Sequence, residues 1–149
     1  MPEALFYHLE HFPLERVLPS LLERSLERSW RAIVRAGSQE RLDALDQHLW
    51  TYRDDSFLPH GAAKDGNAAA QPVYLTLGAE NPNGAAVLFL VDGAPFEDAG
   101  GFDRVVYMFD GRDEAAVADA RGAWRQAKDA GLAVTYWQQD GSGRWTKKA

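Results

Sequence analysis

Residues 85–91 read AAVLFLV, seven apolar residues in unbroken succession. The run is far too short to span a bilayer. It also lacks the polar alternation of a strand that keeps one face in water, so it fits a strand covered on both sides. Such a strand needs a packed layer above it and another below it, which directs the chain towards an α/β arrangement. Asn81-Pro82-Asn83-Gly84 is a turn signal before the run, and a connection rich in glycine and proline follows it.

The rest of the chain supplies the layers. Residues 4–9 (ALFYHL) predict a first strand, and Pro13 introduces a helix whose apolar positions are Leu14, Val17, Leu18, Leu21, Leu22 and Leu26. Residues 30–36 (WRAIVRA) predict a second strand. Gly37-Ser38 then gives a turn and an N-cap for a second helix carrying Leu42, Leu45 and Leu49. Residues 51–71 lose periodicity and read as a long loop, a length that compact domains usually reserve for function. Further strands are expected over 72–77, 85–91, 104–109 and 134–138. A third helix is expected from about 114 to 130, ended by Gly131, and a polar tail, DGSGRWTKKA, closes the chain. Strands alternating with helices predict one domain over residues 1–149, with a largely parallel sheet covered on both sides.

The 149 residues contain no cysteine, so disulfides, thiolate metal sites and cysteine nucleophiles are excluded. The N-terminal residues MPEALFYHLEHF lack the basic and long apolar regions of a signal peptide, and no stretch approaches a membrane span. A soluble, cytoplasmic protein is expected. The formal net charge is −6, which disfavours direct binding to nucleic acid, although an acidic protein can still carry a local basic patch.

Marks of chemistry are missing. There is no G-x-G-x-x-G after the first strand, no phosphate-binding G-x-x-x-x-G-K-[ST], and no G-x-S-x-G around any serine. Gly37-Ser38 and Asp110-Gly111 read as turns. The histidines His8, His11, His48 and His60 have no metal-binding spacing. No catalytic residue, cofactor or metal is assigned.

Two groups of residues stand out as binding candidates. In the third helix Arg121 and Arg125 are four apart and Trp124 lies between them, with Lys128 following. Two guanidiniums beside an indole suit an acidic peptide with an aromatic residue, or a free C-terminal carboxylate. The same residues would equally form a solvated basic face with Trp124 in the core. The second group, in LDQHLWTYRDDSFLPH (residues 45–60), includes Trp50, Phe57, Leu58 and Pro59. These apolar residues either tuck under the loop or form a docking patch.

The segments FYHL, ERSWRAIVRAGSQERLDALDQHLW, SFLPH, QPVYL and ARGAWRQAKDAG resemble, in order and spacing, the chi subunit of bacterial DNA polymerase III. The resemblance implies a Rossmann-like three-layer α/β fold without nucleotide chemistry. It implies an adaptor that binds the acidic, phenylalanine-ended tail of single-stranded-DNA-binding protein and joins it to the psi subunit and clamp loader. On the resemblance, Trp50, Arg121, Trp124 and Arg125 fall at the tail-binding site, with Trp50 and Trp124 walling a pocket for the terminal phenylalanine. Phe57, Leu58 and Pro59 fall at the surface for psi or for a helicase. Trp124 stands where a tyrosine is usual, Arg125 where a lysine is usual, and the residues after Gly131 are unlike better-known members. The alternatives are a diverged nucleotide-binding enzyme of the same fold class and an adaptor for a repair helicase.

Overall fold

The computed structural model describes residues 2–52, 59–97 and 99–148. The elements run β1 (Glu3–Leu9), α1 (Leu14–Glu27), β2 (Ala32–Arg35), α2 (Gln39–Thr51), β3 (Gly61–Ala62), β4 (Val73–Thr76), β5 (Val87–Leu90), β6 (Arg104–Asp110), α3 (Glu114–Asp129), β7 (Ala133–Gln139) and β8 (Trp145–Lys147). One sheet holds all eight strands in the order β3-β4-β2-β5-β6-β1-β7-β8. Every pairing is parallel except that of β7 with β8. The α/β class and the mostly parallel sheet agree with the sequence reading.

The apolar run at 85–91 contains β5, buried at every position between β2 and β6. Its side chains divide between two cores. Val87 and Phe89 pack with leucines of α1 and α2, while Leu88 and Leu90 face Ala120, Ala123 and Ala127 of α3. Parallel strands force these crossovers, and their common hand fixes the faces. From β1, α1 leads towards one sheet edge; from β6, α3 leads back across β1 towards the other. Helices running in opposite directions therefore cover opposite faces. The reversal occurs between the neighbouring strands β1 and β6.

Local chemistry marks the boundaries. Ser38 caps α2 by accepting from the Arg41 N–H at 3.2 Å, and Asp113 caps α3 by accepting from Ala115 and Ala116. Gly131 follows α3 with φ of 81°. Pro19 lies in the second turn of α1 and is buried.

Two expectations need correction. The loop at 51–71 contains β3 and two short 3-10 turns at 63–65 and 68–70, because β4 offers an open edge to Gly61 and Ala62. The polar tail is also partly ordered, as β8. Asp140 Oδ1 accepts from the Ser142 and Arg144 N–H groups, folding the turn, and Trp145 packs edge-on against Tyr7 at 4.8 Å. Gln139 ties this end of the chain to the β1–α1 loop, its Oε1 accepting the N–H groups of Glu10, His11 and Phe12. No helix among the described residues is long and apolar enough to cross a membrane.

Candidate functional site

The site on α3 begins with small residues. Ala120, Ala123 and Ala127 are buried and let the helix sit close to the sheet, leaving Trp124 to lean over its side. The indole meets Phe6 at 5.3 Å and Tyr136 at 5.8 Å between ring centroids. Trp124 is half-buried, with one edge in the core and the rest lining a recess of about 420 Å³. Phe109, Val117 and Tyr136 complete the apolar lining, and Arg121 and Arg125 stand at its rim. Both arginines are exposed, and neither forms an ion pair among the described residues. Lys128 Nζ adds a third cation 5.2 Å from the Trp124 ring centroid. An apolar slot beneath free guanidiniums can hold an aromatic side chain and a carboxylate together.

Behind the slot lies a polar relay that the sequence reading missed. His8 lies on the α3 face of β1, and its Nδ1 is 2.5 Å from the Tyr136 hydroxyl of β7. Its Nε2 sits 3.0 Å from Glu10 Oε1, outside hydrogen-bond alignment. Burial, followed by the charge of Glu10, pushes the Tyr136 phenol up, against a smaller opposing pull from Arg121. The signal in the sequence was a histidine two residues after Phe6, a polar group on the buried side of an apolar strand.

Trp50 does not join this site. It ends α2, which packs with α1 on the opposite face of the sheet, and it follows Leu49, whose side chain points into that core. A step of one residue turns about 100° around the helix and sends Trp50 outward, where it is 50% exposed. Trp50 is not among the residues lining the recess, where Tyr136 is the ring beside Trp124. Trp50 instead covers His60, with ring centroids 4.3 Å apart. His60 is buried, and its Nε2 lies 3.1 Å from both the carbonyl oxygen and Oδ1 of Asp46. Lys64 Nζ reaches the other carboxylate oxygen at 3.3 Å. Pro59 is half-buried beside this group, while Phe57 and Leu58 lie outside the described residues.

A third feature tests the nucleotide reading. A cleft of about 450 Å³ opens where the crossovers reverse, at the carboxyl ends of β1 and β6, the usual ligand position in doubly wound folds. Here its walls carry Glu15, Asp92, Asp110, Asp113 and Asp119. Two arginines line it as well: Arg41 is taken up by Glu15 at 2.9 Å and Asp92 at 3.1 Å, and Arg112 Nε lies 3.4 Å from Asp110 Oδ1. Gly37 has a packing reason rather than a phosphate: a Cβ there would stand 2.3 Å from the Asp92 carbonyl oxygen. A site of this charge repels phosphate. Among the described residues no group of three or more His, Asp or Glu converges as metal ligands would.

The family model described as DNA polymerase III chi subunit, HolC, matches residues 1–135. A protein of Rickettsia prowazekii (strain Madrid E) named "Probable DNA polymerase III subunit chi" is 29% identical over 91 residues. That alignment covers 61% of this chain and 55% of the relative.

Proposed function

Because the chain belongs to the DNA polymerase III chi subunit family, we propose that it is a non-catalytic adaptor whose α3 recess takes the acidic, phenylalanine-ended tail of single-stranded-DNA-binding protein. The observation that carries the reading is the pair of guanidiniums of Arg121 and Arg125, without an ion pair among the described residues, over a slot walled by Trp124 and Tyr136. The terminal phenyl ring enters between the two aromatic residues, and the tail's carboxylates meet the arginines. The opposite face, with exposed Trp50 at the end of α2 and Pro59 after it, carries the contact to psi and the clamp loader, or to a helicase. Phe57 and Leu58 are assigned to the same contact by family resemblance. With a net charge of −6 and an acidic switch-point cleft, the protein reaches DNA through its partners. Its place of action is the cytoplasm.

The test is titration of a labelled acidic peptide ending in phenylalanine, at low and high salt. Saturable binding that weakens with salt is expected, because the guanidiniums are exposed and screened. Arg121→Ala and Arg125→Ala should each weaken it by about tenfold, the scale of one charged hydrogen bond. A folded wild-type protein that ignores the peptide, or variants that bind it unchanged, would reject the α3 recess as the tail site.

A further inference from the structure

Resting on the tail-site reading, the His8–Tyr136 contact says which ion the recess prefers and when. The carboxylate of Glu10, 3.0 Å from His8 Nε2, favours a proton on that nitrogen. Nδ1 is then a lone pair, and the Tyr136 hydroxyl donates its proton to it at 2.5 Å. In that state Tyr136 points its hydrogen inward and shows the recess oxygen lone pairs, which repel a carboxylate. When His8 takes up a second proton, Nδ1–H becomes the donor and the Tyr136 oxygen the acceptor. The hydroxyl hydrogen is released to turn towards the recess. We infer that His8 is a positioning residue acting through Tyr136, and that the recess captures a peptide carboxylate with uptake of one proton by His8.

Among the described residues, charged and titratable groups face this relay from three sides. Glu10 follows β1, Arg121 and Arg125 of α3 line the same recess, the Arg121 charge reaching the Tyr136 hydroxyl, and Tyr136 itself comes from β7. From β6 and the turn after it come the Phe109 ring, 5.1 Å from that of His8, and Gly111. The phenol, pushed up by burial, keeps its proton throughout the range in which an imidazole titrates. A bound carboxylate supplies negative charge that offsets Arg121. Binding and protonation therefore favour each other, as linkage requires.

The experiment measures affinity for the acidic, phenylalanine-ended peptide from about pH 8 to about pH 5.5 at fixed ionic strength, where imidazoles titrate and peptide carboxylates stay ionised. Calorimetry in buffers of different ionisation enthalpy counts the protons taken up by the wild type. Binding about tenfold tighter at the acid end is expected, the scale of one charged hydrogen bond. Net proton uptake should accompany it in the middle of the range. His8→Gln and, separately, Tyr136→Phe should each flatten the profile, with melting curves confirming that they fold. A flat wild-type profile, no proton uptake, or an undiminished slope in both variants would overturn the role of His8 while leaving the tail site standing. Failure of the peptide to bind at every pH would overturn both.

Discussion

The imidazole of His8 occupies the space that a side chain on residue 111 would need: a Cβ built on Gly111 falls 1.7 Å from His8 Nε2. The turn after β6 is pulled onto β1 by the Gly111 N–H, which donates to the Leu9 carbonyl oxygen at 2.7 Å. Backbone and ring therefore share a space with no slack. Gly111→Ala should destabilise the protein by about 1–3 kcal/mol, as overpacking commonly does. Urea unfolding would measure the loss, and combining it with His8→Ala should recover part of it, because the two positions are in contact. Additive losses would show that the turn, not the ring, takes the strain.

Trp50→Ala and Trp124→Ala should separate the two faces. Trp50 lies across the sheet from the α3 recess, so its loss should leave affinity for the acidic peptide within about twofold. Trp124→Ala removes one wall of the slot and should weaken binding at least tenfold, in keeping with a buried aromatic anchor. Peptide anisotropy on both variants decides the matter. Equal losses would mean that the tail reaches around the sheet edge.

Gly122 lies inside α3, yet a Cβ there meets no atom within 4 Å. It also takes no part in lining the recess. Gly122→Ala should therefore stabilise the protein by up to about 1 kcal/mol, the usual helix-propensity gain, with unchanged peptide affinity. A rise in melting temperature with impaired peptide binding would mean that a partner's backbone approaches at this point.

Asp92 gives a pH signature of opposite sign to that of a paired surface carboxylate. Burial pushes its carboxyl above the ordinary 3.8, and Arg41 only partly offsets this. The raised folded-state value means that protonation favours the folded protein. Its stabilising share is complete below the unfolded value and is lost as pH rises through the folded one. The stability of wild type minus that of Asp92→Asn should therefore increase as pH falls through that window. Asparagine tolerates the left-handed backbone at this residue, where φ is 50°. Denaturant midpoints across acid pH would measure the difference, and a decrease would contradict the burial argument.

Much of this was legible in the sequence because the signals were local. The unbroken run of β5, the leucine spacing of α1 and the cap at Ser38 depend on neighbours a few residues away. Arg121, Trp124 and Arg125 were legible as a group for the same reason, since helical spacing places them side by side. That Trp50 stands apart from this group was not legible, because resemblance supplies residues but not the sheet face on which a helix packs. His8 and Tyr136 were missed because they are 128 residues apart in sequence and meet only through the β1–β7 pairing. β8 was missed because three polar-flanked residues carry no strand period; the edge of β7 and the ring of Tyr7 order it.

The position of β1 between β6 and β7 has a consequence for how the protein is made. Glu3 finds its partners in Arg104 and Ala133, so the inner strand of this half of the sheet emerges from the ribosome long before either neighbour. At about 5–20 residues per second, its two backbone edges wait on the order of 5–20 s for the first of them. Open edges of apolar strands invite pairing with other chains. The yield of folded protein therefore depends on how quickly the chain from residue 10 to residue 139 is translated, as well as on the stability of the finished sheet.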